Sequence, residues 1–98
     1  LLQKRDRLKL LALNGGTELA NSYVNQKKYR QSIIWAEWIL AIDPCWEEAY
    51  RILLISYGIQ KDIAMVKQWY RRCCQVLNRE LCMPVSEQTE ELYRYFTQ

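Results

Sequence analysis

The chain has no histidine, and its 98 residues include only three glycines and two prolines. Without histidine, a cysteine nucleophile lacks its usual base, and zinc lacks its commonest nitrogen ligand. Scarce glycine and proline leave few places for tight turns, which favours a few long helices over many short strands. No apolar run approaches the roughly 20 residues needed to span a membrane, and no stretch reads as a secretory leader. There is no C-x-x-C pair, no Gly-rich phosphate loop and no convergent carboxylate pair. Enzymatic chemistry is therefore not expected, and neither a metal nor a cofactor is implied.

Four cysteines are present, at positions 45, 73, 74 and 82. Cys73 and Cys74 are neighbours that point to different parts of a helix surface, and a zinc site would need thiolates from three scattered places. They read as free thiols acting as small hydrophobes, and reduced thiols suit a cytoplasmic protein. The chain opens on Leu1 rather than Met, so a piece of a longer protein is expected.

Half the residues are hydrophobic and 12% are aromatic, more than a disordered chain carries, so a packed core is expected. The formal charge of +3 is modest. Lys4, Arg5, Arg7, Lys9, Lys27, Lys28, Arg30, Lys67, Arg71, Arg72 and Arg79 are spread over three helices and interleaved with acids. That pattern is a solvated surface rather than the concentrated footprint of a nucleic-acid binder.

The stretch Tyr29 to Tyr57 organises the chain. Ser32, Ala36 and Ile39 share one helical stripe. Pro44 has no N–H and biases Asp43 toward extended backbone, so this helix should end near Ile42. Ala49, Tyr50, Leu53, Leu54 and Tyr57 then resume a stripe, with Glu47 and Glu48 in the first turn and Gly58 as the expected stop. Upstream, Leu8, Leu11, Leu19 and Tyr23 lie in register on one face. Asn14-Gly15-Gly16 interrupts them locally, but the phase runs through, so one long helix is expected, with Gly15-Gly16 the place for any bend. Downstream, Asp62 should cap a fourth helix. Val66, Trp69, Tyr70, Cys73, Val76 or Leu77, and Leu81 should be buried on it. After Pro84, Ser86 should cap a last helix that turns Thr89, Leu92, Tyr93 and Phe96 inward.

A shift of 34 residues overlays the two halves of this pattern: Leu19 on Leu53, Tyr23 on Tyr57, Ser32 on Val66 and Trp35 on Trp69. A helix-turn-helix period of that length is the tetratricopeptide period. The first copy carries Leu19, Ala20, Tyr23, Tyr29, Ser32 and Pro44. In the second, Ile63, Val66 and Asn78 replace the tyrosine, the small residue and the proline. Amphipathic hairpins that cannot bury a face alone stack side by side and leave a concave surface. The expected fold class is all-α, a tetratricopeptide-like right-handed α-α superhelix of about five helices over residues 1–98. Trp35 and Trp69 share a repeat phase and so read as packing residues.

The tail adds something narrower. Leu81, Pro84, Ser86, Thr89, Leu92 and Tyr93, with Tyr29, Ala41-Ile42-Asp43-Pro44, Glu48-Ala49 and Arg51 upstream, resemble the bacterial transcriptional activator domain. That module belongs to antibiotic-regulatory-protein-type transcription regulators. Family members carry glycine where Cys82 stands, and Asn14-Gly15-Gly16 is unusual in their first helix. The resemblance implies a regulatory protein-interaction module that acts by docking. Its partner would be its own DNA-binding domain, another protomer or the transcription machinery. DNA would be reached only through a separate domain absent from these residues, and no membrane is involved.

The alternative is a free-standing adaptor that binds a peptide in its concave groove. Asn14, Thr17, Asn21 and Asn25 form a polar stripe on the first helix, and Arg51 takes the equivalent place in the second copy. Peptide-clamping arrays grip a terminal carboxylate with lysine, asparagine and arginine there. Only Asn21 matches in type, Arg51 supplies charge, and Thr17 and Ile55 depart from the clamp; a plain solvated face is the better explanation of the stripe. Trp46, at a helix start beside an acidic pair, is the aromatic expected to meet a partner. The candidate partner-binding residues are thus Asn21, Asn25, Trp46 and Arg51. The pairs Glu47-Glu48 and Glu90-Glu91 read as helix-surface charge.

Overall fold

The computed structural model describes residues 3–98. They form five α-helices and, among the described residues, no strand. The helices are α1 (Lys4–Asn25), α2 (Tyr29–Ile42), α3 (Glu47–Ile59), α4 (Ile63–Leu81) and α5 (Glu87–Phe96). The all-helical expectation and the number of helices hold. α1 passes through Gly15-Gly16 without a break.

The 34-residue period reappears as geometry. α1 ends at Asn25 and α3 at Ile59, while α2 starts at Tyr29 and α4 at Ile63. Both turns close in the same way. Lys27 and Lys61 take left-handed backbone, with φ of 61° and 62°. The N–H groups of Lys27 and Lys28 then reach back to the carbonyls of Val24 and Tyr23, at 2.9 and 2.8 Å. Those of Lys61 and Asp62 reach the carbonyls of Gly58 and Tyr57, each at 3.0 Å. This pair of hydrogen bonds satisfies carbonyls that a helix end leaves open. A left-handed residue other than glycine costs about 1–2 kcal/mol, so the tertiary contacts hold these turns.

The expectation that Gly58 stops α3 is therefore corrected. Gly58 lies inside the helix, and Lys61 makes the left-handed turn. A Cβ on Gly58 would lie 2.4 Å from the Phe96 ring, so the missing side chain is what lets α5 press against α3. Asp43-Pro44 ends α2 as expected. The Trp46 N–H bonds to the Asp43 carbonyl, the Cys45 N–H bonds to Asp43 Oδ1, and the Tyr50 hydroxyl donates to the Pro44 carbonyl at 2.7 Å. Asp62 and Ser86 both cap as expected, accepting from the N–H groups of Met65 and Thr89.

α3 is the centre. It touches all four other helices, α1 also packs on α2, α4 also packs on α5, and α2 and α4 do not meet. α1, α3 and α5 thus form one layer, with α2 and α4 on the other side. The extents of 44 × 33 × 18 Å match a slab two helices thick. Tyr50, Ile52, Leu53 and Leu54 of α3 are fully buried with Ile39, Val66 and Cys73, each apolar side chain contributing about 1.5–3 kcal/mol. Burial pushes the Cys73 thiol up to about 12, so it stays protonated and acts as a small hydrophobe. Between α2 and α3, the Ser32 hydroxyl donates to the Tyr29 carbonyl at 2.8 Å, which leaves its oxygen to accept from Ser56 at 2.7 Å. Trp35 is half-buried and Trp69 buried. The Trp69 indole N–H finds no hydrogen-bond partner, while Arg72 stands over its ring at 5.1 Å.

On α1 the leucines that share one face are not the side that packs. Leu8, Leu11 and Leu19 are exposed, and Leu13, Gly16, Thr17 and Ala20 are buried instead. Small residues win there because α2 comes close: a Cβ on Gly16 would meet the Trp38 ring at 3.0 Å. Leu81 is likewise exposed, because α4 ends on it and Cys82 turns the chain away with φ of 51°.

Candidate functional site

α1, α3 and α5 enclose a concavity of about 710 Å³, within the usual range for ligand sites. α1 contributes Asn21. From α3 come Glu48 and Arg51 on the wall and Ile52 and Ile55 on the floor. α5 closes the far side with Gln88, Glu91, Leu92 and Tyr95. The groove follows from helical spacing: Glu48, Arg51, Ile52 and Ile55 fall at steps of three and four, so one face of α3 presents them together.

Two of the four expected partner residues meet there. Asn21 Nδ2 donates to Glu48 Oε2 at 3.3 Å across the α1–α3 gap. Arg51 lies beside them, half-buried, but its guanidinium is already engaged. Nη1 sits 3.6 Å from the Glu47 carboxylate and donates to the hydroxyls of Ser86 and Thr89, each at 3.3 Å. Asn25 is exposed near the end of α1 and is not part of the groove lining. Trp46 is elsewhere, over a hollow with Asp6, Lys9 and Leu13. It is half-buried, and its indole N–H donates to Thr17 Oγ1 at 2.9 Å. Thr17, read as a groove residue, is buried and serves this internal bond; its own hydroxyl donates to the Leu13 carbonyl at 2.7 Å.

The polar cluster at the base of α5 was not foreseen. Glu47 is not plain surface charge. Its Oε2 accepts from the Ser86 N–H at 2.8 Å, the Ser86 hydroxyl at 2.6 Å and the Thr89 hydroxyl. Burial alone would raise its proton affinity, but the hydrogen bonds from Ser86 and Thr89 and the charge of Arg51 outweigh it, so its carboxyl titrates below the ordinary value of 4.5. Glu90 is also committed, accepting from the Tyr70 hydroxyl, while the Tyr70 and Tyr93 rings stack at 3.8 Å. Burial first, then that bond, raises the Tyr70 hydroxyl well above its usual range. The local signal for a capped α5 was readable at Ser86 and Thr89. Their acceptor lies about 40 residues upstream, beyond any helical spacing.

With Glu47 and Arg51 neutralising each other, Glu48 and Glu91 leave the groove walls net acidic over an apolar floor. Compared with protein-family models, with curated proteins and with solved structures, the chain finds no match. No helix of the described residues is long and apolar enough to cross a membrane, and the four cysteines are free.

Proposed function

We propose that this chain is a regulatory protein-interaction module of a bacterial transcription factor, acting by docking and not by chemistry. In this reading the five helices are a tetratricopeptide-like right-handed superhelix, the transcriptional activator domain of a longer cytoplasmic regulator. Its partner is its own DNA-binding domain, another protomer or the transcription machinery; DNA is contacted only through the separate domain. The observation that carries the reading is the recurrence of helix ends and left-handed lysines at 34 residues, which leaves the α1–α3–α5 groove open beside them. The tail motif from Leu81 to Tyr93 supports the narrower assignment. The test is a full-length regulator with and without residues 1–98. Activated transcription should fall when they are deleted, and unchanged activation would end the regulatory reading.

A second reading, a free-standing adaptor for a peptide, is favoured by the convergence of Asn21 and Arg51 on one groove. Against it stands the ion pair that already occupies Arg51, because a carboxylate clamp needs an uncommitted charge. Ile55→Glu on the floor separates the two. An adaptor would lose peptide capture with its helical circular dichroism intact, whereas capture that survives the change excludes the groove.

A further inference from the structure

The outer side of the α1–α2 hairpin, away from the groove, is apolar and open. Leu8, Leu11 and Leu19 are 57%, 67% and 36% exposed, and Ile34 and Trp38 of α2 are 59% and 42% exposed. Leu8, Leu11, Gly15 and Leu19 follow steps of three and four and so share one side of α1; Ile34 and Trp38 are one turn apart on α2. The Trp38 ring packed on Gly16 joins the two rows into one strip. At its centre Gly15 is exposed, and a Cβ there would meet nothing within 4 Å. Gly16 is explained by Trp38. Gly15 has no explanation within the chain, although glycine inside a helix costs about 1 kcal/mol relative to alanine.

We propose that a second copy of this chain covers the strip, with α1 crossing the partner's α1 antiparallel at Gly15. The pattern is self-complementary, as a two-fold contact requires. Leu11 and Leu19 each stand four residues from Gly15, so a two-fold axis there lays Leu11 on the partner's Leu19 and the reverse. Leu8 comes opposite Ser22 and Lys4 opposite Gln26, so no like charges oppose each other. The absent side chain at Gly15 lets the two helix axes close, and Ile34 and Trp38 flank the crossing. The five apolar side chains leave on the order of 500 Å² open per copy, so a pair buries roughly 1,000 Å², the lower edge of a specific interface. The dimer is accordingly weak, with a dissociation constant on the order of micromolar. This narrows the docking reading to self-association and rests on that reading for its biological use; its geometry rests on α1 and α2 alone.

Sedimentation velocity on the 98-residue chain, from about 1 to about 300 µM, tests it across the expected range. The mass should rise from one chain to two. Leu11→Glu and Gly15→Leu, at positions open in the monomer, should each weaken association roughly tenfold or more, a loss of about 1.4 kcal/mol, and leave the dilute helical spectrum unchanged. A monomer at every concentration overturns the proposal, as does any assembly indifferent to both substitutions. If such a monomer is found while transcription still depends on residues 1–98, the docking reading stands with a different occupant on this face.

Discussion

Two glycines of this chain should respond to the same substitution with opposite signs. Gly58→Ala places a Cβ against the Phe96 ring, with its nearest atoms at 2.4 Å. Overpacking of that kind typically costs about 1–3 kcal/mol, and the helix preference of alanine returns about 1. A net loss of up to about 2 kcal/mol in urea unfolding is expected. Gly15→Ala meets open space, so the dilute chain should gain about 0.5–1 kcal/mol. If Gly58→Ala stabilised the chain, the close approach of α5 would not be what that glycine serves. At this scale the sequence was legible where one residue has a local duty. Asp62 and Ser86 cap helices, and Pro44 ends one, each through its own backbone neighbourhood. Gly58 was misread because glycine near a helix end has two uses, a left-handed stop or room for a neighbour, and only the position of Phe96 tells which.

Among the helices, α5 depends most on a single anchor. Glu47 of α3 takes the backbone and hydroxyl donors at its start, while Gly58 receives Phe96 near its end. Glu47→Gln should cost about 1.5–3 kcal/mol near neutral pH, the usual worth of a charged hydrogen-bond set. The pH dependence has a definite sign. The folded carboxyl titrates below 4.5, so folding favours its ionised form. That stabilisation is complete above about 4.5 and fades as the pH falls through the depressed folded value. The difference in unfolding free energy between Glu47→Gln and the unchanged chain should therefore shrink between about pH 6 and pH 3. A gap constant over that span would mean that the carboxylate charge does not hold α5. The helices themselves were readable from apolar spacing, caps and breakers. The buried side of α1 was not, because that helix carries a leucine row and a small-residue row, and periodicity does not say which one a neighbour will cover.

For the molecule as a whole, the order of stability should follow the contacts of α3. α3 meets every other helix, whereas α5 meets only α3 and α4. Its amides should exchange with solvent most slowly, and those of α5 should be among the fastest of the five helices. Equal protection of the two would contradict the central role given to α3. The groove was half legible: Asn21 was placed by the polar stripe of α1 and Arg51 by repeat phase, and the structure brings both to it. Asn25 and Trp46 fall outside it, because the end of α1 runs past the groove and Trp46 turns back onto Thr17. The sequence by itself determined the helical class, the break at Asp43-Pro44 and the caps at Asp62 and Ser86, since each depends on interactions within about one turn of the chain. Only the tertiary structure decided which face of α1 is buried, what Glu47 holds and why Gly58 is glycine. Those depend on residues far apart in the chain meeting in space, and local spacing carries no record of such a meeting.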